Sequence, residues 1–391
     1  MKKGLVGVLT TLMLLFPCAG KAQQQPMEEG TPFTMESPCA ILMEASTGRV
    51  IFEKNADEKR PIASVTKVMT ILLTLEAVDA GTVGLDDQVT VSARASGMGG
   101  SQAFLEANGR YKLRDLLKSV IVASANDAAV ALAEYLAGTE ETFVAKMNAR
   151  AAELGLHDTH FVNCTGLPAS GHYMTARDVA ALSRELDKHP LYYEFSTIWM
   201  DEIAHKGGRK TQLTNTNRLV RFYAGCDGYK TGSTNEARYC MSATAKKNGL
   251  RLIAVVLGAN AGQTRFDEAR AMLEYGFSAY QLFEPVHVGD ALGMQVPVRL
   301  GAQDSVSVVS GGNCSLLMKK GEQSGVSLEA ALTERMDAPV KKGDMLGEIR
   351  VKKDGKTLMT LPAVAGEDVQ LPGLVSALLR IRNRFMLVPR P

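Results

Sequence analysis

The stretch Ala63-Ser64-Val65-Thr66-Lys67 sits just ahead of an apolar run, Val68 to Val78, with Pro61 upstream of both. Proline before helix-periodic residues is a start signal, so the spacing predicts a helix with this pentapeptide at its front. Residues three apart on a helix share a face, which stands Ser64 beside Lys67. A hydroxyl next to an amine at a helix N-terminus supplies the parts of a serine nucleophile with a lysine base. The same spacing also arises by chance, as a surface serine near a solvated lysine. The rest of the chain decides between the two.

A length of 391 residues favours two domains over one. The hydrophobic fraction of 46% and charged fraction of 22% fit a folded soluble protein. A net charge of +2, without aromatic-basic interleaving, gives no case for nucleic-acid binding. Lys2 and Lys3 precede an apolar run from Leu5 to Phe16, followed by Gly20-Lys21-Ala22. That order predicts a secretory signal peptide over 1–22. The run is short for a membrane span, and Phe16-Pro17 make Cys18 a poor lipoprotein site. The chain is therefore expected to be exported and extracytoplasmic, with 23–36 a flexible lead-in. Beyond the signal stand Cys39, Cys164, Cys226, Cys240 and Cys314. Their odd number and wide spread are not a disulfide framework, and no metal-ligand spacing occurs.

Cys39 to Met43 and Val50 to Phe52, around Ser46-Thr47-Gly48, predict a hairpin. Ser96-Gly97-Met98-Gly99-Gly100-Ser101 lacks a phosphate-loop ending and reads as a mobile surface loop. Leu113 to Val122 and Asn126 to Leu136 are helical and meet at Ser124-Ala125-Asn126. That bend is either a buried polar pair in need of partners or a plain helix N-cap. Thr139 caps a further helix to Leu154; Ala176 to Leu186 is another. The stretch 157–175 between them is irregular, and His157, His160 and His172 show no triad pattern. Tyr239 to Ala245 and Leu250 to Leu257 are strands joined by Asn248-Gly249. A strand at 226–232 would pair with 238–245 and project Lys230 from a sheet. Cys226 and Cys240 would then be near neighbours, within reach of a disulfide. Phe266 to Phe277 is a helix expected to return toward the first one. From Glu284, short β-type runs (286–288, 294–298, 306–309, 315–318, 347–351, 357–361) alternate with Gly/Asp/Lys turns and predict a small all-β domain. In the final stretch Leu374, Leu378, Ile381 and Phe385 share a helical face opposite Arg380 and Arg384, as in a helix lying in a membrane interface.

Ser64-Val-Thr-Lys67, Ser124-Ala-Asn126 and Lys230-Thr-Gly232, in this order, resemble the penicillin-binding and serine β-lactamase family. Within it the chain looks like a D-alanyl-D-alanine carboxypeptidase, a low-molecular-mass penicillin-binding protein. Gly99-Gly100-Ser101-Gln102 and Asp227-Gly228-Tyr229 carry the likeness into the flanks; Ala125 departs from the lactamase pattern. The resemblance implies an α/β (α+β) catalytic domain with antiparallel sheet and helical cluster over 36–282. A β-rich domain over 283–371 and an amphipathic membrane-anchor helix over 372–391 would follow. It implies Ser64 as nucleophile, Lys67 as its neutral base, Ser124 as proton relay and Asn126 as the holder of Lys67 and the substrate amide. Burial and the second charge of Lys230 would keep Lys67 neutral. Backbone N–H groups of Ser64 and Ser233 would hold the oxyanion, with Thr231, Gly232, Ser233 and Arg265 facing the substrate. No metal or cofactor is implied. The partners implied are stem peptides ending in D-Ala-D-Ala, β-lactams as covalent inhibitors, and the outer face of the cytoplasmic membrane. A class A β-lactamase would need a glutamate in the 157–175 stretch, which has none. The same motifs are compatible with endopeptidase or transpeptidase action, and the β-rich domain with a catalytically dead wall-binding role.

Overall fold

The computed structural model describes residues 32–375 and 378. The expected signal peptide, and the expected terminal helix beyond 375 apart from Leu378, lie outside the described residues.

Strands β1 (Cys39–Glu44) and β2 (Val50–Lys54) form the first hairpin. A 3-10 turn, Ala63–Thr66, runs directly into α1 (Lys67–Asp79). β3 (Gln88–Thr90), the short α2 (Ala93–Ser96) and β4 (Arg110–Lys112) precede the helical cluster. That cluster holds α3 (Leu113–Val122), α4 (Asn126–Ala137), α5 (Glu140–Glu153), α6 (Ala176–Leu186) and α7 (Leu191–Ser196). A small hairpin of β5 (Met200–Ala204) and β6 (Lys210–Thr214) and the short α8 (Leu219–Phe222) follow. β7 (Cys226–Thr234), β8 (Arg238–Lys247) and β9 (Leu250–Ala259) complete the main sheet, and α9 (Gly262–Ala279) closes this part.

The main sheet runs β2-β1-β9-β8-β7, antiparallel throughout. Side chains alternate between its faces. Ile41, Met43, Ile253 and Val255 point into a core shared with α1, α3, α4 and α6. Ala40, Leu42, Leu252 and Ala254 point the other way, where Phe266, Ala269, Met272 and Leu273 of α9 cover them. Thus α9 does not return to the first helix; the sheet separates the two. Gly276 fixes how closely α9 sits, because a Cβ there would lie 2.4 Å from Leu252 Cδ1. α1 runs through the interior: Val68, Met69, Ile71, Leu72 and Leu75 are all fully buried. A helix apolar on nearly every side is a core helix.

The β7–β8 register corrects the disulfide expectation. Cys226 pairs with Ala245 and Cys240 with Gly232. Six residues along a strand separate the two on the order of 20 Å. Both thiols are free and buried, and burial pushes them up to about 12 and about 11.

β10 (Tyr280–Val286) and β13 (Cys314–Lys319) form a two-stranded ladder. The expected boundary at 282/283 falls inside β10. β11 (Ala291–Arg299), β12 (Ser305–Ser310), β14 (Val326–Leu332), β15 (Met336–Asp337), β16 (Met345–Lys353) and β17 (Lys356–Ala365) make a six-stranded sheet ordered β14-β16-β17-β12-β11-β15. Val296, Val298, Val306, Val308, Ile349 and Val351 form its separate core. The residue pattern does not mark β14, whose Leu-Glu-Ala-Ala-Leu stretch carries no β-branched residue. Among the described residues no helix is long and apolar enough to cross a membrane.

Candidate active site

The 3-10 turn presents Ser64, and Ala63 before it takes φ +48. Lys67, the first residue of α1, is fully buried. Its Nζ lies 2.9 Å from Ser64 Oγ, 2.6 Å from Asn126 Oδ1 and 2.7 Å from the Thr165 carbonyl. Burial pushes the Lys67 amine down to about 7, against weaker upward pulls from Cys164 and Asp127. A solvated surface lysine is thereby excluded.

α3 and α4 are neighbours joined by a tight bend, and Ser124 sits in it at φ +63. Ala125 is the N-cap of α4, so neither Ser124 nor Asn126 is spent on capping. Asn126 instead uses its carbonyl on Lys67 and donates from Nδ2 to Gly99 O, 2.7 Å away. Its backbone N–H donates to Ser101 O at 2.7 Å. The glycine-rich loop, expected to be mobile and superficial, is therefore tied to the second motif. Gly100, at φ +78, could not be replaced freely, because a Cβ there would lie 2.8 Å from Asn126 Nδ2. Ser124 Oγ is buried and has no hydrogen-bond partner among the described residues.

The Thr165 carbonyl is aimed by a turn built on Asn163. Asn163 Oδ1 accepts from Thr165 N at 3.1 Å and Gly166 N at 2.7 Å, and Nδ2 donates to Leu167 O at 2.9 Å. Gly166, at φ +81, presses this turn onto the nucleophile turn: a Cβ there would fall 1.9 Å from Ala63 O. Thr66 Oγ1 donates to Ala63 O at 2.8 Å and lies 2.7 Å from His172 Nε2. His172 Nδ1 accepts from Val162 N, and burial pushes this ring down to about 4. A neutral ring with Nδ1 accepting carries its proton on Nε2. His172 thus braces the turn and takes no part in a triad.

β7 brings the third motif. Lys230 and Thr231 are buried, whereas Ser233 is exposed. Gly232 lets the strand touch the nucleophile turn, since a Cβ there would lie 2.7 Å from Ser64 N and 2.8 Å from Ile62 O. Lys230 Nζ donates to Thr231 O at 3.1 Å. Burial holds it well below the ordinary lysine value, and repulsion from Lys67 and Arg265 adds to that. Of the two causes expected to keep Lys67 neutral, burial holds and the Lys230 charge needs correcting: burial lowers the Lys67 amine, with no contribution from Lys230. Of the two amines, Lys67 has three oxygen neighbours and Lys230 one, so the mutual repulsion drives Lys230 down. Arg265 Nη1 donates to Gly232 O at 2.8 Å and Cys240 O at 3.2 Å. Its guanidinium lies against the Tyr239 and Phe266 rings, and its Nε is buried without a partner among the described residues.

The structure therefore gathers Ser64, Lys67 and Asn126 into direct contact, with Gly232 against Ser64 and Thr231 and Arg265 on the neighbouring strand and helix. Among the described residues no hydrogen bond links Ser124 to Lys230. Sequence reasoning missed Asn163, Thr165, Gly99 and His172 as contributors; Asn-x-Thr-Gly is an Asx-turn pattern and was the available signal for the first two. No group of three or more metal-ligating side chains occurs among the described residues.

An antiparallel sheet between α9 and a helical cluster, followed by a β-rich region, is the architecture of penicillin-binding proteins. A family model described as D-alanyl-D-alanine carboxypeptidase matches residues 21–261, and one described as penicillin-binding protein 5, C-terminal domain, matches residues 280–371. The chain belongs to the D-alanyl-D-alanine carboxypeptidase family. It is 40% identical to D-alanyl-D-alanine carboxypeptidase DacF of Bacillus subtilis (strain 168), over 97% of this chain and 98% of that relative. D-alanyl-D-alanine carboxypeptidase DacC of Escherichia coli (strain K12) is 35% identical over 95% of this chain and 92% of its own length. Among solved structures, penicillin binding protein 5 from Haemophilus influenzae aligns with TM-score 0.74 at 29% identity, over 87% of this chain and 99% of that one.

Proposed function

We propose that this serine D-Ala-D-Ala carboxypeptidase removes the terminal D-alanine of peptidoglycan stem peptides through an acyl-enzyme on Ser64. The observation that carries the reading is the buried Lys67 amine, 2.9 Å from Ser64 Oγ and depressed to about 7. A protonated Lys67 has a donor for each of its three oxygen neighbours. A neutral one keeps two N–H bonds, which suit Asn126 Oδ1 and the Thr165 carbonyl, and turns its lone pair to the Ser64 hydroxyl. Ser64 Oγ then attacks the carbonyl carbon while its proton passes to Lys67. The oxyanion is held by the Ser64 and Ser233 N–H groups; losing one such donor costs roughly 10²- to 10³-fold. The peptide C–N bond breaks as the proton held on Lys67 passes by way of Ser124, whose hydroxyl has no partner among the described residues, to the departing amine, which leaves Lys67 neutral again. Water releases the acyl group by the reverse proton traffic. Thr231 and Arg265 take the substrate's terminal carboxylate, and Lys230 stands behind them. A β-lactam enters at the first step and stays on Ser64.

The enzyme works outside the cytoplasm, a reading supported by the 1–22 signal pattern. It trims cell wall from the outer face of the cytoplasmic membrane, a reading supported by the amphipathic pattern of 372–391. Leu374, Val375 and Leu378 are 82%, 72% and 61% exposed, which suits a lipid surface. The test is incubation with a D-Ala-D-Ala-ending peptide, measuring released D-alanine and dimeric products. D-alanine without dimers is expected, and Ser64→Ala should neither release it nor take up labelled penicillin. Covalent penicillin on Ser64→Ala would overturn the assignment.

A further inference from the structure

Phe104 is held where it gains nothing for the fold. It is 57% exposed, belongs to none of the apolar cores, and adopts φ +56. A bulky side chain in the left-handed region is strained, and such strain persists only where the surroundings enforce it. Here they do so from three directions. Ala103 N donates to both carboxylate oxygens of Asp127, at 3.0 and 3.1 Å, and Leu105 N donates to Oδ2 at 3.0 Å. Arg209, from the connection between β5 and β6, donates from Nη2 to Phe104 O at 2.7 Å. Ala103 and Leu105 are themselves buried, so the backbone on each side is pinned and the ring is left outside. The clamp belongs to the site: Asp127 follows Asn126, which touches Lys67 and holds the same loop through Gly99 and Ser101.

We propose that Phe104 is a specificity-determining residue whose ring walls the subsite for the side chain on the amino side of D-Ala-D-Ala, selecting a long aliphatic one. This rests on the carboxypeptidase reading above. There the substrate's carboxylate lies at Thr231 and Arg265 on the sheet side, and Asn126 takes the amide. The Phe104 loop is held by Asn126 and Asp127 at the start of α4, on the helical flank of the site rather than the sheet flank, and that flank is the one assigned here to the residue preceding the scissile pair. An apolar wall there discriminates between a side chain of several methylenes and none.

The experiment compares D-alanine release from diacetyl-L-Lys-D-Ala-D-Ala and acetyl-Gly-D-Ala-D-Ala, which differ in that side chain. The wild type should prefer the lysyl peptide. In Phe104→Ala the ratio of the two kcat/KM values should fall about fivefold or more, chiefly through KM for the lysyl peptide. Phe104→Tyr should restore the ratio. Phe104→Gly should lose it too while melting higher than wild type, because glycine accepts the backbone without strain. An unchanged ratio in Phe104→Ala, with D-alanine still released, overturns the subsite alone. A merely structural Phe104 would instead lower both rates alike and lower the melting temperature. Absence of D-alanine from both peptides with the wild type overturns the carboxypeptidase reading and the subsite with it.

Discussion

The two halves of this molecule bury different things. Between Ser37 and Glu268 the interior holds two lysines, Asn126, Ser124, Thr231, His172 and other polar side chains. In the β-rich region Ser310 is the single buried polar side chain among those described, and it donates to Gly312 O at 2.7 Å. Buried polar groups cost stability unless paired. The β-rich region keeps its charges on the surface, as in the Arg299–Asp337 pair, where they contribute little. The catalytic region tolerates two buried amines and an unpartnered hydroxyl. Backbone strain is shared more evenly, but in the catalytic region two of the strained positions, Ala63 and Ser124, stand beside the reacting groups. The difference teaches where the fold gives up stability and what it obtains: amines that are poor ions but usable bases.

The sharpest way to break this contrast is Lys67→Met. It should lower the acylation rate by at least about 10³-fold while leaving the melting temperature unchanged or higher, since an apolar side chain suits the site. Retention of acylation within tenfold, measured with a fluorescent penicillin, would end the base assignment. Next comes Gly232→Ala, whose methyl must displace Ser64 N or Ile62 O. A misplacement of about 1 Å costs on the order of 10² in rate, so stopped-flow acylation should slow by that order; an unaltered rate would mean β7 does not fix the turn. Asn163→Ala loosens the Thr165 carbonyl and should cost about tenfold in kcat, with Thr165→Ser closer to wild type because the acceptor is backbone. On the other side of the contrast, Gly347→Ala forces a methyl to within 2.2 Å of Ala331 O at φ +150. Calorimetry should show the β-rich region melting several degrees lower, with D-alanine release within twofold of wild type. Equal losses of activity and stability would show that the two regions are not separable.

Much of the catalytic half was legible because its signals are local. Pro61 ahead of Ser64 and Lys67, the Asn248-Gly249 turn and the alternation in 250–257 each act over a few residues. The order of the three short motifs then supplied what no one of them could. What stayed hidden depends on contacts across the chain. Nothing in Gly99-Gly100-Ser101 announces that Asn126 will hold it. The Thr165 carbonyl on Lys67 is a backbone group, and residue patterns do not mark backbone acceptors. The bulge between Cys226 and Gly228 helps set the register that parts the two cysteines. The face that α9 covers depends on which side of the sheet the chain leaves after β9. Burial depresses Lys67 as expected, but the added contribution of Lys230 to that shift is not found, because how two buried amines divide their repulsion depends on their packed neighbours.

That shift is also a statement about stability. Lys67 has a folded value of about 7, against about 10.4 in an unfolded chain. Between these the unfolded state binds more protons, so stability should rise with pH across that window. The most direct measurement is a titration of the Lys67 side chain by NMR of ¹³Cε-labelled lysine, with Lys67→Met to assign the signal. The expected result is a midpoint near 7, matched by a penicillin acylation rate that falls about tenfold per pH unit below it. A midpoint near 10.4, with acylation flat from pH 5 to 9, would contradict the neutral-base account.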